Sequence, residues 1–322
     1  MSKERITSET EFLNIIDKYF PNRHKHILLG RGDDAAVITS PGTLCVSTDL
    51  FMEDVHFRRS YFRPEDIGYK ALAVNLSDMA AMGARPLGFT LAITAPRNTP
   101  VTFWDRVMAG MAELASANDL PLVGGDLNRS CGIGLSVTIW GESGESGRFL
   151  ERGKVQPGDI LFVIGELGLA AAGLGVLEDM DEDAIPRWPK ATAAHLRPTL
   201  HMDSGPILAG IDGMTGLMDV SDGLAQDLPR LTGPNCGAEL VLNSTMFNPE
   251  MIDIATRYKM NPVRLAVSGG EDYALLGAVN ESAFETVMQA VPGVLRIGRV
   301  TETPGLLVNA KPFDEKGFDH FR

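Results

Sequence analysis

The chain has 322 residues, roughly two domains at about 150 residues each, enough to bury a core without disulfides or a structural metal. Its 44% hydrophobic, 22% charged and 7% aromatic residues are those of a folded globular protein and exclude extended disorder. With 29 basic against 42 acidic side chains the net charge is −13, a field that repels nucleic acid and anionic lipid and removes both from the expected partners.

In chain order, Ser8-x-x-Glu11 is a capping box opening an amphipathic helix over 12–20, with no apolar secretory core. A strand is expected over 43–50, helices over 66–82 and 101–117, and strands over 88–94 and 133–140. The glycine-rich, weakly periodic stretch 141–158 reads as a connection, so the expected domains are 1–150 and 151–322. Beyond it come strands over 159–164, 217–220, 239–242, 265–267 and 274–279, with helices over 169–180 and 284–290. The apolar window 160–177 is as long as a membrane span, but Glu166 and glycines 165, 168, 173 and 175 favour strand, glycine turn and helix instead. The class is mixed α/β. Cys45, Cys131 and Cys236 form no C-x-x-C pair and no disulfide framework, which suits a reducing cytoplasm.

The acids fall beside glycine or at strand ends: Gly32-Asp33-Asp34, Ser47-Thr48-Asp49, Asn75-Leu76-Ser77-Asp78, Gly124-Gly125-Asp126, Asp219-Val220-Ser221-Asp222-Gly223 and Ser268-Gly269-Gly270-Glu271-Asp272. Taken singly, each is a turn or helix cap. Together they suit Mg²⁺, which takes one or two carboxylates per ion and completes its shell with water and substrate phosphates. Such ions would let an acidic protein perform phosphoryl transfer. There is no G-x-x-x-x-G-K-[ST], which excludes a P-loop, and Gly165-x-x-Gly168 lacks dinucleotide-loop spacing. No H-E-x-x-H, G-x-S-x-G elbow or catalytic-cysteine signature occurs, and His24-Lys25-His26 reads as a solvated loop.

Read together, these segments resemble the thiamine-monophosphate kinase family. The resemblance is carried by Gly32 to Ala36, by Ser47-Thr48-Asp49 with His56-Phe57, and by the run from Lys70 to Ala84 containing Asp78. It continues through Gly124-Gly125-Asp126, Asp219 to Leu224, Ser268 to Tyr273 and Gly317-Phe318-Asp319-His320-Phe321. It implies the two-domain α/β fold of aminoimidazole ribonucleotide synthetase, with N-terminal domains pairing in a homodimer. It also implies direct in-line transfer from ATP to thiamine monophosphate with several Mg²⁺ ions and no phosphoenzyme. By that resemblance Asp34, Ser47, Thr48, Asp49, Asp78, Asp126, Asp219 and Asp222 are Mg²⁺ ligands, with Asp49, Asp126 and Asp222 catalytic. Gly125, Asp126, Arg152 and Ser221 contact ATP, while His56, Glu271 and Phe318 hold thiamine monophosphate.

Three positions depart from the family pattern. Asp54 stands where glycine is common, Ala274 replaces an acid, and Pro229 is expected to kink the helix after Asp222. Phe103 and Trp104 both remain open as the aromatic against adenine. The alternatives are another ATP-using enzyme of this fold, of synthetase, selenide or hydrogenase-maturation type, or a non-catalytic nucleotide- or metal-binding regulator.

Overall fold

The computed structural model describes residues 8–32, 35–40, 42–179, 183–315 and 317–318. The chain separates into two compact units, one formed by residues 1–79 and 85–143, the other by 80–84 and 144–322.

In the first unit the Ser8 side chain accepts the N–H of Glu11 and starts α1 (Glu9–Tyr19), as the capping box requires. A small ribbon of β1 (Ile27–Leu29) and β2 (Val37–Ile38) follows. Then come β3 (Leu44–Met52), α2 (Pro64–Ala81), β4 (Ala84–Ala95), α3 (Val101–Ala117), β5 (Leu122–Arg129) and β6 (Gly134–Ser143). The sheet order is β3-β6-β4-β5, with β3 antiparallel to β6 and β4 parallel to β5. Two glycines let α2 and α3 touch backbone to backbone. A Cβ on Gly68 would lie 1.9 Å from the Val107 carbonyl oxygen, and one on Gly110 would lie 1.9 Å from that of Glu65. Trp104, Val107, Met108 and Met111 of α3 are buried, which removes both aromatic and aliphatic surface from water at about 25 cal/mol per Å².

The second unit contains β7 (Ile160–Ile164), α4 (Leu169–Glu178), α5 (Ala184–Arg187), α6 (Pro189–Leu196), α7 (Ser204–Ala209), β8 (Met214–Val220), α8 (Leu224–Thr232) and β9 (Gly237–Leu240). After these come α9 (Pro249–Arg257), α10 (Pro262–Ser268), β10 (Ala274–Val279), α11 (Phe284–Ala290), β11 (Val294–Thr301), β12 (Leu306–Val308) and β13 (Lys311–Pro312). Seven strands pair in the order β13-β12-β9-β11-β7-β10-β8. All five β7 residues are buried because the sheet is covered on both faces. Leu161 and Val163 enter one apolar cluster, while Ile160, Phe162 and Ile164 enter another. Among the described residues no helix is long and apolar enough to cross a membrane.

Three expectations need correction. Residues 265–267 are helical, not a strand, because the Asn261 side chain accepts the N–H groups of Val263 and Arg264 and Pro262 occupies the first turn. A short buried apolar run does not by itself distinguish strand from helix. Gly124-Gly125-Asp126 is no turn: it lies inside β5, in register with Thr90, Leu91 and Ala92 of β4. The helix containing Pro229 continues one further turn and stops at Gly233, whose φ of 72° is left-handed.

Candidate functional site

In the first unit, strand alternation decides which acids meet. Cys45, Ser47, Asp49 and Phe51 share one face of β3, while Val46, Thr48, Leu50 and Met52 share the other. Asp78 of α2 faces the first set: the Ser47 hydroxyl donates to Asp78 Oδ2, and Asp49 and Asp78 are themselves hydrogen-bonded. Burial, followed by the charge of Asp78, pushes the Asp49 carboxyl up to about 7. Two carboxylates in contact cannot both ionise cheaply, and a divalent cation removes that conflict. The Thr48 hydroxyl lies 2.8 Å from that of Thr138 on the opposite face, so its side chain does not join this group.

Asp126 opens instead onto a cavity of about 560 Å³, lined also by Arg31, Gly32, Thr90, Gly124 and Gly125. The two glycines serve different ends. A Cβ on Gly125 would fall 1.9 Å from the Leu91 carbonyl oxygen, whereas Gly124 has open space where its Cβ would be. Asp34, assigned to the cation set from the sequence, lies outside the described residues. Among the described residues no group of three or more His, Cys, Asp or Glu side chains is arranged as a metal cage. A pair of carboxylates with one hydroxyl is nevertheless the donor set suited to Mg²⁺, whose shell leaves room for water and phosphate oxygens.

His56 follows β3 in a tight turn. Its Nδ1 accepts the Met52 N–H at 3.0 Å and its ring stacks at 26° on Phe51, so the neutral imidazole carries its proton on Nε2. Asp54 takes the left-handed conformation, φ 64°, that explains why glycine suits this position. Trp104 is a core residue packed on Phe12, with ring centroids 4.9 Å apart.

In the second unit, three sequence-remote segments join through their backbones. The Glu271 N–H donates to the Ser221 carbonyl at 2.7 Å, the Tyr273 N–H to Val220 at 2.9 Å, and the Phe318 N–H to Asp222 at 3.1 Å. Asp219 ends β8 almost fully buried. Asp222 pairs with Arg230 Nη1 at 2.7 Å, and the same nitrogen lies 2.9 Å from buried Asp227. Asp227 accepts the Ser221 and Asp222 N–H groups at 3.1 Å each, fixing this turn. Burial, then the Asp222 charge, pushes Asp227 up to about 6; Arg152 and Arg230 pull it back, which places the Arg152 charge near the Ser221 turn. Phe318 is 52% exposed and lines an open cavity of about 840 Å³ with Lys259, Arg264, Ser268, Gly269 and Gly270.

Three residues of this region received no role from the sequence. Asp272 is half-buried and accepts the N–H groups of Gly168 at 2.6 Å and Ala170 at 3.2 Å, capping α4 from a distant loop. Its burial pushes the carboxyl up to about 8 against the pull of those donors. Arg230 offered no signal beyond its place on a helix, and His195, 3.0 Å from Glu271, offered none. Ala274, which replaces an acid, is buried against Gly165, where a Cβ on the glycine would come within 3.0 Å of the Ala274 Cβ.

Two family models cover most of the chain: AIR synthase related protein, N-terminal domain, over residues 32–143, and AIR synthase related protein, C-terminal domain, over 156–311. The thiamine-monophosphate kinase of Bacillus subtilis (strain 168) is 33% identical over 315 residues, 93% of this chain and 95% of its own. A solved structure described as AaThiL complexed with AMPPCP and TMP superposes with a TM-score of 0.78 at 29% identity over 100% of both chains. The hydrogenase maturation protein HypE of E. coli, at 20% identity, TM-score 0.74 and 97% coverage of both chains, shares the fold alone.

Proposed function

The chain belongs to the thiamine-monophosphate kinase family, built on the AIR synthase related fold, and on that premise we propose that it passes the γ-phosphoryl group of ATP in line to the phosphate of thiamine monophosphate, forming thiamine diphosphate. The contact between Asp49 and Asp78, with the Ser47 hydroxyl on Asp78, carries the mechanistic part of this reading. Repulsion within a half-buried carboxylate pair is a standing cost that a cation-dependent site turns to use. Asp34, Asp49, Asp78 and Asp126 would hold Mg²⁺ in the first unit, and Asp219 and Asp222 would do so in the second; bound there, the cations would neutralise phosphate charge. Thr48 is left to contribute only through its backbone.

The chain's own groups divide the remaining work. In the second unit Arg152 and the Ser221 turn would contact ATP phosphates; in the first, Gly125 and Asp126 are assigned to ATP, and Gly124 leaves the β5 backbone open to a phosphate. His56 would donate from Nε2, Phe318 would cover a thiamine ring, and Glu271 would accept from the aminopyrimidine or face the cationic thiazolium. No strong base is required, because the acceptor is already an anionic oxygen; alignment supplies much of the rate. The exposed apolar residues Val46, Leu50 and Met52 on the outer face of β3 support pairing of two copies through the first unit. A biosynthetic kinase with bacterial relatives and three free cysteines suits the cytoplasm.

The test is ADP release from MgATP with and without thiamine monophosphate, with the product identified by mass. Thiamine diphosphate formed only with both substrates and divalent metal is the expected result. ATP turnover independent of thiamine monophosphate would instead indicate a synthetase or maturation-type activity, and no turnover a binding protein.

A further inference from the structure

We propose that His195 is a positioning residue that holds the Glu271 carboxylate in the orientation that receives thiamine monophosphate. The proposal rests on the assignment of Glu271 to that substrate. His195 stands at the end of α6, 1% exposed, with Nδ1 3.0 Å from Glu271 Oε2. A buried imidazole costs free energy unless a polar partner compensates it, and the carboxylate is such a partner. Glu271 itself is a quarter exposed at its side chain, so the carboxylate has one oxygen against the imidazole while the group still reaches solvent.

The surrounding backbone leaves little else to fix. Glu271 and Tyr273 both adopt left-handed conformations, φ 64° and 50°, which are uncommon for residues with a Cβ and persist where neighbours hold them. Their N–H groups are tied to Ser221 and Val220, and Asp272 between them is tied to the start of α4. The platform beneath His195 is equally fixed, because Glu250 accepts the Lys190 and Ala191 N–H groups at 2.8 and 2.9 Å and anchors the start of α6. The freedom that remains at Glu271 lies in its side-chain torsions, which a glutamate surrenders at an entropic cost. Glu166 and Glu271 both act electrostatically on Asp272, so three carboxylates crowd this corner. The imidazole edge, at ion-pair distance from Oε2, keeps the Glu271 carboxylate turned to one side.

Steady-state kinetics on the full-length enzyme test this. A substituted Asn places its amide nitrogen near the position of imidazole Nδ1, whereas Gln reaches past it and Leu donates nothing. The expected result is a rise of about tenfold in KM for thiamine monophosphate with His195→Leu and His195→Gln, with kcat and KM for ATP within about twofold of wild type. His195→Asn should return KM to within about threefold of wild type, and in a Glu271→Gln background His195→Leu should add nothing further. Where His195→Leu does not fold, the Asn and Gln variants decide between them. Equal KM values for Asn and Gln, or equal effects on both substrates, would overturn the role. If Glu271→Gln leaves KM for thiamine monophosphate unchanged, the assignment of Glu271 fails; if Glu271→Gln raises it and His195→Leu does not, only the role of His195 fails.

Discussion

At Asp49, stability and function oppose one another. The carboxyl is pushed up to about 7 by burial and by Asp78, so the metal-free fold is destabilised as pH rises from the unfolded value near 4 towards 7 and gains nothing back above it. Asp49→Asn removes that repulsion while keeping the side-chain shape. Its thermal midpoint without divalent cations should equal or exceed that of wild type at pH 8, while turnover at saturating Mg²⁺ should fall by at least about 100-fold. A variant that retains wild-type turnover would remove Asp49 from the cation set. Asp126→Asn should show the same loss of turnover with little change in melting, since Asp126 is exposed on β5 and contributes little to the core.

Among the elements, β5 and α4 each depend on one residue that spacing alone did not interpret. Gly125 faces the Leu91 carbonyl oxygen across the β4–β5 pair, so Gly125→Ala should cost more than about 2 kcal/mol in chemical denaturation. Gly124→Ala, with open space at its Cβ, should unfold within about 1 kcal/mol of wild type and express its effect in KM for ATP. For α4 the decisive residue is Asp272. Its folded-state carboxyl, at about 8, lies above the unfolded value, so its contribution is complete at acid pH and is lost as pH rises through about 8. Asp272→Asn keeps an acceptor oxygen for the Gly168 and Ala170 N–H groups without titrating. The thermal midpoint of wild type should therefore decline more between pH 5 and 8 than that of Asp272→Asn, and parallel profiles would mean that the carboxyl does not titrate in this range.

For the whole molecule, the outer face of β3, the edge strand of its sheet, presents Val46 at 63% and Leu50 at 60% exposure, neighbouring apolar side chains of the kind that mark a pairing surface. A homodimer formed through this face should sediment at about twice 34.8 kDa, and Leu50→Lys should shift it towards monomer with an unchanged far-ultraviolet spectrum. Sedimentation of wild type as a monomer at micromolar concentration would remove the pairing. The same alternation that exposes Leu50 buries Phe51 and turns Asp49 towards α2, so one strand would supply both the proposed cation ligand and the proposed pairing face.

The sequence by itself determined the class, most of the helices and strands, and the family. Those rest on local signals: the Ser8 capping box, the long apolar stretch of α2, apolar periodicity in α3, the uninterrupted apolar run of β7, and the acid-and-glycine motifs. Only the tertiary structure decided that Asp49 meets Asp78, that Gly125 is required by Leu91 and Gly124 is not, and that residues 265–267 close a capped helix. It alone joined the Ser221 turn to Glu271 and Phe318, and brought His195 to Glu271 from a helix far back in the chain. The physical reason is range: caps and periodicity act within a few residues, whereas burial, charge pairing and close backbone approach depend on neighbours that only the folded chain supplies.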